Sequence, residues 1–409
     1  MASLSDDALL DRVQHQTLCY FWDFGHPVSG MARERSNAVP GYDYRETVTT
    51  GGTGFGVMTM LAAAERGFLT RADVRTRIAR IVDCLENADR FHGVFPHFLH
   101  GRTGRTIPFS PKDDGGDLVE TSFLIAGLLC ARQYFDDPAL RAAIDRLWHA
   151  VEWDWHAREG DVLYWHWSQH HGWAMNHAIR GWNECLITYV LAAASPTHAI
   201  DPRVYHRGWT DRPVFSNGRA YDGVTLPLGP DKGGPLFFAH YSFLGLDPRG
   251  LTDAYADYWT QNRAHVLINR AHCIANPHRF AGYGPNCWGL TACDGDKGYN
   301  AFAPDNDRGV IAPTAAIASI PYAPTEAMAA LRHFHDDMGD RLFRDLGFAD
   351  SFNQSADWVA DGHLAIDQGP IVVMIENHRS ALLWRLFMSC PEIAAGLQRL
   401  GFTRRAPSA

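Results

Sequence analysis

The stretch KDDGGDLVETSFLIAGLLCAR (residues 112–132) carries a group of acidic side chains at the start of an apolar run. Asp113, Asp117 and Glu120 are spaced i, i+4 and i+7, so in a helix they would lie on one face. Carboxylates grouped at one helix mouth could carry out general acid and base chemistry. The same acids could instead cap the helix, because a first turn has free N–H groups and the positive end of the helix dipole. Asp114 with Asp117, or Asp117 with Glu120, would then form a variant of the capping box.

A further carboxylate, Glu184, lies in the segment NHAIRGWNECLITYVLAAAS. Apolar residues continue its stripe at helical spacing, so Glu184 is predicted to lie on a buried face near the start of a helix. Burial raises the pKa of a carboxyl group, which is what a general acid requires. The structural alternative is an ion pair with Arg180, one turn earlier. Trp182 could line a sugar subsite or pack in the core.

Glu184 and the acids at 113–120 together match the two carboxylates that glycoside hydrolysis uses. One acid protonates the leaving oxygen, while the other activates water or attacks the anomeric carbon. A separation of about 5 Å indicates retention and one of about 6.5–9.5 Å indicates inversion. Asp294, Asp367 and Glu376 also stand near predicted helix ends or inside apolar stretches. We interpret these three as substrate ligands or loop anchors rather than as the acid.

The 21 histidines raise the question of a metal site. His97 and His100, and the histidines at 166–171, have ligand-like spacing, but the sequence contains neither HExxH nor a set of Cys and His ligands. The run GGTGFG (51–56) does not fit the dinucleotide-binding pattern, and no predicted strand precedes it. Serine-hydrolase and phosphate-loop motifs are missing. We therefore expect no metal, no cofactor, and neither acyl nor phosphoryl transfer.

The composition indicates an enzyme-sized globular protein. The chain has 409 residues, 46% hydrophobic and 12% aromatic, with 13 Trp. Aromatic rings exposed in a cleft would suit the flat apolar faces of sugar rings. A net charge of -9 without long charge runs argues against nucleic acid or an anionic membrane as a partner. Cysteines in apolar runs and the lack of a signal peptide or membrane span favour a cytoplasmic protein, or a periplasmic one if a signal peptide was removed.

Apolar periodicity predicts about twelve helices, joined by long aromatic-rich loops, with few strand signals. The predicted helices cover 5–24, 51–67, 70–86, 116–134, 137–151, 178–194, 236–244, 249–272, 312–319, 324–337, 339–346 and 369–389, followed by PEIAAGLQRLG. Pro370 is predicted at the first helical position, where a missing N–H costs nothing. This pattern favours an all-α fold, an (α/α)6 barrel in one domain (1–409) with a cleft of loops on one face. The alternatives are an α-solenoid, which would need a repeat period, and two helical bundles.

Long motifs spread along the chain resemble those of one bacterial family. They are FWDFGHPVSGMARERS, GGTGFGVM, HGVFPHFLHGRTGRTIPFS, DDGGDLVETSFLIAGLL, IRGWNECLITYVLAAASPTH, GGPLFFAHYSFLGLDPRG, YADYWTQNRAHVLINRAHCIANP, NCWGLTACDG and LAIDQGPIVVMIENHRSALLW. The family is the "putative glucoamylase" family, glycoside hydrolase family 144, whose characterised members are β-1,2-glucanases. The resemblance extends over about 19–402. It implies an (α/α)6 barrel, action on linear or cyclic β-1,2-glucan without a metal, release of sophorose or short oligosaccharides, and an inverting mechanism.

By position, the resemblance implies that Glu184, in GWNE, is the general acid. It places Asp113, Asp117 and Glu120 at the catalytic centre, as the base or as holders of the water, and we favour Asp117 as the base. Further side chains in these motifs and loops are predicted to bind the substrate: Trp182, Arg180, Trp288, Asp294, Tyr241, Trp165, Phe109 and Arg33. The segment VPGYDYRETVTTGG (39–52) differs from the family pattern and should border the cleft, so endo or exo action stays open.

Three alternatives remain. A retaining β-1,2-glucan transglycosylase would use a similar barrel, and a glycan-binding protein without catalysis would use the same cleft. A polysaccharide lyase would draw Tyr, His, Arg and Asn from a stretch such as YADYWTQNRAH. Uronate substrates favour a basic cleft, however, and the chain is acidic overall.

Overall fold

The computed structural model describes residues 4–41, 43–158, 160–210 and 215–405. Helices dominate this part of the chain, as the apolar periodicity predicts. The α-helices are α1 (Asp6–Trp22), α2 (Thr50–Glu65), α3 (Arg71–Glu86), α4 (Leu118–Tyr134), α5 (Pro138–His149), α6 (Trp153–His156), α7 (Leu186–Ala194), α8 (Tyr258–Ala275), α9 (Pro313–Ile317), α10 (Pro324–Arg332), α11 (Gly339–Leu342), α12 (Ala365–Ser380), α13 (Leu382–Met388) and α14 (Pro391–Arg399). None of these helices has both the length and the apolar composition needed to cross a membrane.

Two layers of helices are distinguished by their burial. Helices α2, α4, α7, α9 and α12 are buried around most of their circumference, as are the 3₁₀ turns at 236–244. Helices α1, α3, α5, α8 and α10 bury one face only, which is typical of helices with one side in solvent. The fold is therefore all-α, with an inner and an outer layer as the predicted (α/α)6 barrel requires.

The inner elements contact one another in sequence around a closed path. Helix α2 packs on α4 and on α12, α4 packs on α7, and α12 packs on α9. The remaining gap lies between α7 and α9 and is filled by the 3₁₀ turns at 236–244. These turns contact α7, and His240 within them lies 3.0 Å from the Ser319 hydroxyl just after α9. One continuous hydrophobic core contains residues from Leu9 to Phe402.

Short strands connect the loops. They are β1 (Thr47–Thr49), β2 (Phe98–His100), β3 (Thr106–Ile107), β4 (Gly116–Asp117), β5 (His166–Trp167), β6 (Ser216–Tyr221), β7 (Val224–Leu228), β8 (Leu251–Thr252), β9 (Ala292–Cys293), β10 (Asn300–Ala301), β11 (Phe343–Arg344), β12 (Gly347–Phe348), β13 (Phe352–Asn353), β14 (Trp358–Val359) and β15 (Thr403–Arg404). All described pairings are antiparallel. The pairing of β4 with β5 joins the acidic stretch before α4 to the segment LYWHW (163–167).

Several predicted helix boundaries are wrong. The helix predicted at 178–194 begins only at Leu186, because Gly181 adopts a left-handed φ of 75° and the Asn183 side chain accepts the Cys185 N–H. The segment 236–244 forms 3₁₀ turns rather than an α-helix. Pro370 is interior to α12, so the Ile366 carbonyl lacks the N–H that would follow it by four residues.

Helices α2 and α4 cross at glycines. A Cβ added at Gly127 would lie 2.2 Å from the Gly54 carbonyl oxygen, and one added at Gly54 would lie 2.1 Å from the Phe123 carbonyl oxygen. Backbone atoms cannot rotate away as a side chain can, so a larger residue would push the helices apart. This crossing sets the distance between the first turns of the two helices.

We expect Gly127→Ala to lower the free energy of unfolding by about 1–3 kcal/mol, the usual cost of overpacking a core. Chemical denaturation would measure the change. Gly339→Ala is the matched control, because a Cβ there meets no atom within 4 Å. Equal stability of both variants would contradict the close crossing.

Candidate active site

A cavity of about 380 Å³ opens where the first turns of the inner elements meet. Its wall includes residues from the loop before α2, from the 97–109 segment, and from the starts of α4 and α12. The lining residues are Glu34, Arg35, Thr49, His97, Phe98, Ile107, Pro108, Phe109, Glu120, Phe123, Trp165, Glu184, Phe237, Tyr241, Ala292, Tyr299, Leu364 and Ile366. Glu120 and Glu184, which the sequence places in separate motifs, therefore share one cavity.

Asp117 is the N-cap of α4 and is fully buried. Its Oδ1 accepts the N–H groups of Val119 and Glu120 at 3.0 and 2.9 Å. Its Oδ2 accepts from His97 Nδ1 and from Trp165 Nε1, both at 3.0 Å. Burial disfavours the ionised carboxyl, but these bonds outweigh it and hold the pKa of Asp117 below its usual value. Asp117 is therefore an ionised anchor, and its carboxylate does not form part of the described cavity wall.

His97 lies between two carboxylates. Its Nδ1 donates to Asp117, and its Nε2 is 4.0 Å from Glu120 Oε1. Its ring stacks on Phe109, with centroids 4.3 Å apart. Burial alone would lower the pKa of His97, but the Glu120 and Asp117 carboxylates raise it to about 9. At neutral pH the ring is thus an imidazolium that faces the cavity.

Glu120 is positioned by the glycine run before α2. Its Oε2 accepts the Gly51 N–H at 2.7 Å and the Thr49 hydroxyl at 3.4 Å. A Cβ on Gly51 would lie 2.6 Å from the same oxygen, so a glycine is required for the carboxylate to approach the backbone. Burial raises the pKa of Glu120, while the charge of His97 acts in the opposite direction. The GGTGFG run, which fits no nucleotide motif, thus holds a cavity carboxylate.

The other two acids of the stretch have different surroundings. Burial and the Asp117 charge raise the pKa of Asp113 to about 7, and its Oδ1 lies 3.2 Å from His166 Nε2. Asp114 does not cap α4, as one interpretation of the sequence held. It bonds instead to Ser168 and, at 2.7 Å, to His170 Nδ1. Because 116–117 forms a strand, the helical-face argument that grouped these acids is also wrong, although they do lie near one another.

His97, Asp113 and Asp117 offer donor atoms within 4.8 Å of one another, a spacing that a cation could use. However, Asp117 Oδ2 already accepts the His97 Nδ1 proton. A cation at this point would have to displace that proton and the bond it makes. The contacts present are those of an ion-pair network.

Glu184 lies in the turn before α7, and 9% of its surface is exposed. The Ser242 hydroxyl donates to the Glu184 carbonyl and accepts the Ile187 N–H, which fixes the backbone at this turn. Burial raises the pKa of the Glu184 carboxyl to about 7, and the charges of Asp117 and Glu120 act in the same direction. The alternative pairing with Arg180 is not among these influences, and Arg180 occupies an exposed position. A carboxyl group that keeps its proton near neutrality suits a general acid.

Three of the predicted substrate-binding aromatics line the cavity: Tyr241, Trp165 and Phe109. Phe109 is 55% exposed at its mouth. Tyr241 packs against Phe55, Phe123 and Phe237 at centroid distances of 5.1–5.7 Å, which makes an aromatic floor. Trp165 stacks on His177 and is held by Asp117. Aromatic faces at these positions would contact the apolar faces of sugar rings.

The other predicted substrate ligands do not line this cavity. Trp182 is 3% exposed and packs among Trp209, Phe215, Phe243 and Tyr258. Trp288 is completely buried in the core. Arg33 donates to the backbone carbonyls of Phe24 and Arg45. Trp182 and Trp288 thus serve packing, which their residue type alone cannot reveal.

A cluster of three aspartates, Asp294, Asp350 and Asp367, lies next to Arg35 of the cavity wall, and the sequence singled out only the first and the last. Asp294 pairs with Arg35 at 3.1 Å, and Arg35 lines the cavity. Asp350 accepts the Asp294 N–H at 2.7 Å, and burial raises its pKa to about 7. Burial and Asp350 raise the pKa of Asp367 well above its usual value. Arg35, Tyr299 and His97 were missed as site residues, because each belongs to a loop whose position depends on distant parts of the chain.

The stretch that suggested a lyase is structural. Tyr258, Asn262 and His265 are buried in α8, where their side chains bond to Asp253, to Tyr322 and to the Gly234 carbonyl. None of the three lines the cavity. The residues that β-elimination would need are therefore not provided by this segment.

The sequence model of the "putative glucoamylase" family matches residues 176–391, which include the GWNE turn and the start of α12. The chain belongs to this family. Its assignment to glycoside hydrolase family 144, which the sequence motifs imply, is supported by the curated and structural relatives. The matched range includes Glu184 but not the acidic stretch at 113–120.

Three proteins of assigned activity or solved structure are similar to this chain over most of its length. An exo β-1,2-glucooligosaccharide sophorohydrolase of Parabacteroides distasonis is 44% identical over 97% of the chain, but the chain spans only 58% of that relative's length. An endo-β-1,2-glucanase of Chitinophaga pinensis, solved with sophorotriose and glucose, is 52% identical, with a TM-score of 0.95 over 98% of this chain and 99% of that one. A putative glucoamylase of Bacteroides uniformis is 55% identical, with a TM-score of 0.96 over 99% of both chains.

We expect Asp117→Asn to lower the pKa of His97, because it removes a carboxylate that accepts the His97 proton while keeping an oxygen for the helix cap. Titration of the His97 ring protons by NMR would measure the change. The raised pKa of His97 contributes stability that is complete below pH 6.5 and is lost as the pH rises through about 9. The variant should therefore show a weaker dependence of unfolding free energy on pH in that interval.

Asp114→Asn is the matched control, because Asp114 bonds to Ser168 and His170 rather than to His97. It should leave the His97 titration unchanged. An unchanged His97 pKa in the Asp117 variant would contradict the ion pair.

Proposed function

We propose that this protein is a glycoside hydrolase that cleaves β-1,2-glucan to sophorose or short β-1,2-glucooligosaccharides. The observation that carries the proposal is the pair Glu184 and Glu120, two buried carboxyl groups in one aromatic-walled cavity. The names of the Parabacteroides and Chitinophaga relatives support the choice of linkage. Because both exo and endo enzymes are among these relatives, the site of cleavage along the glucan stays open.

Glu184 acts as the general acid. With a pKa of about 7, roughly half of the Glu184 carboxyl groups carry a proton at pH 7, and this proton is transferred to the glycosidic oxygen as the bond from this oxygen to the anomeric carbon breaks. The burial that raises the pKa also strengthens the carboxyl group's interaction with charge developing on the leaving oxygen. The turn that holds Glu184 is fixed by Ser242, so the acid is held in place before substrate binds.

Glu120 acts as the base in this proposal. Asp117, our first choice from the sequence, accepts four hydrogen bonds and does not line the cavity, so it is better suited to positioning His97 and Trp165. Glu120 accepts the proton of a water molecule as that water attacks the anomeric carbon. Its raised pKa makes it the more basic of the two. The His97 imidazolium, 4.0 Å away, favours its ionised form.

Glu184→Gln should reduce kcat on linear β-1,2-glucan by about 10²–10⁴-fold, the usual contribution of a general acid. Release of reducing ends would measure it. Asp340→Asn, at an exposed position, is the control and should keep full activity. Near-normal activity of the Glu184 variant would refute the proposed role.

The pH dependence follows from the same carboxyl group. Since the acid must be protonated, kcat/KM should fall tenfold per pH unit above about 7. The raised pKa also means that ionising Glu184 destabilises the folded state as the pH rises from 4.5 through about 7. Glu184→Gln should therefore raise the thermal midpoint at pH 8 and leave it unchanged at pH 4. An equal effect at both pH values would contradict the burial of this charge.

The stereochemical outcome distinguishes hydrolysis by inversion from the transglycosylase alternative. If Glu120 activates water, the first product from a β-linkage is the α-anomer, which NMR detects before mutarotation. Glu120→Gln should abolish this product, whereas Asp117→Asn should retain part of the activity. A β-anomer, or transfer to added acceptor sugars, would favour the retaining enzyme.

A further inference from the structure

A second, open cavity of about 930 Å³ lies outside the proposed hydrolytic cavity. Aromatic rings of Trp155, Tyr164 and Trp173 line it together with the polar side chains of Arg158, Asp154 and His198. No residue is shared between the linings of the two cavities. The proposed hydrolysis makes no use of this second cavity.

Trp155 presents an exposed ring that is held in a defined orientation. It is 39% exposed, whereas the other tryptophans of the described chain are buried or partly buried. One face stacks on His92, with ring centroids 4.1 Å apart and planes 15° from parallel. His92 is itself oriented by Glu152, 2.8 Å from Nδ1. A ring that is already fixed loses little conformational freedom when a ligand binds to it.

Two further rings complete the wall. Trp173 lies 6.0 Å from Trp155, and the Arg158 guanidinium lies over both Tyr164 and Trp173, at 4.7 and 5.3 Å from their centroids. Both Arg158 and His92 adopt left-handed φ values, 55° and 54°, which are unfavourable unless surrounding contacts maintain them. The cluster is thus a built surface rather than a set of mobile side chains.

Partly exposed polar groups border these rings. Asp154 and His198 are paired at 3.1 Å, and their side chains keep 56% and 36% of their surface exposed. Glu152 is also partly exposed. An aromatic platform with hydroxyl-binding groups at its edge matches the two faces of a sugar, an apolar C–H face and a rim of hydroxyls. A nucleobase would also stack, but the Asp154 and Glu152 carboxylates at the rim disfavour the phosphate of a nucleotide.

The two cavities share one wall. Trp165 lines the hydrolytic cavity, and Tyr164, its neighbour in the chain, lines the second cavity. Tyr164 forms an isolated antiparallel bridge with Ala178, and the residues after Trp165 pair with Gly116 and Asp117 as strand β5. The segment 164–167 therefore places a ring toward each cavity.

We propose that this second cavity is a saccharide-binding site, which holds a glucosyl segment of the polymeric substrate while another part of the polymer occupies the hydrolytic cavity. The assignment of the ligand as β-1,2-glucan rests on the proposed function. The site raises the affinity for long chains because a second contact on the same polymer is intramolecular. An oligosaccharide that is too short to contact both sites gains nothing from the second one.

The test compares Trp155→Ala with Ile274→Ala, a change at another exposed apolar side chain, 43% exposed on α8. Affinity electrophoresis in gels containing linear β-1,2-glucan measures binding, with Glu184→Gln present in every variant to prevent cleavage. Loss of one aromatic platform should weaken retention by about three- to tenfold. In the active background, KM for long glucan should rise similarly, while kcat/KM for sophorotriose stays unchanged.

Asp154→Ala provides a second variant, because its exposed side chain can be removed without opening the core. It should weaken retention in the same direction, with a thermal midpoint near that of the parent. Unchanged retention in both variants would overturn the second site, as would an equal loss of activity on sophorotriose.

Gels containing β-1,3-glucan or starch separate the two proposals. If the parent protein leaves β-1,2-glucan intact but is retained by another glucan through Trp155, the second site stands and the proposed hydrolysis fails. If β-1,2-glucan is cleaved normally and no glucan is retained through Trp155, the hydrolytic function stands and the second site is refuted.

Discussion

One buried carboxylate, that of Asp117, connects the parts of this protein on which the candidate active site depends. Its four accepted hydrogen bonds join the first turn of α4 to His97 and Trp165, two residues from loops distant in sequence. A buried charge is tolerated only when such bonds replace its hydration. The need to supply hydrogen bonds to the Asp117 carboxylate therefore positions both the His97 imidazolium and the Trp165 ring at the cavity.

The same network separates the protonation states of neighbouring acids. Asp117 is held ionised by direct donors, whereas Glu184 receives no comparable compensation for its burial and stays protonated near neutrality. Glu120 lies between these extremes, because the His97 charge opposes its burial. Carboxyl groups of similar intrinsic acidity thus acquire the different proton affinities that acid and base roles require, and the cause is their surroundings.

Local patterns predicted most helices because burial of an apolar face imposes the helical period on the sequence. They failed where special backbone conformations intervened. Gly181 and Asn183 prevent the helix predicted at 178–194 from forming before Leu186, so Glu184 lies in a turn. Pro370 is tolerated inside α12, where its position in the core outweighs the missing hydrogen bond. Asp117 shows a further limit of prediction from local patterns. Its carboxylate caps α4 through Oδ1 and holds His97 through Oδ2, so one side chain serves both the helix and the cavity.

The sequence by itself determined the helical class, the family through long motifs, and the candidate carboxyl groups of Asp113, Asp117, Glu120 and Glu184, because these depend on residue type and local spacing. Only the tertiary structure decided which of these carboxylates faces the cavity. The Asp117 carboxylate is held inward by its bond to His97, whereas Glu120 is held at the cavity by the Gly51 N–H, and these partners are far apart in the chain. The same holds for aromatic residues. Trp182 and Trp165 look alike in sequence, yet one is core and the other is cavity wall, since only packing of distant segments defines an inside and an outside.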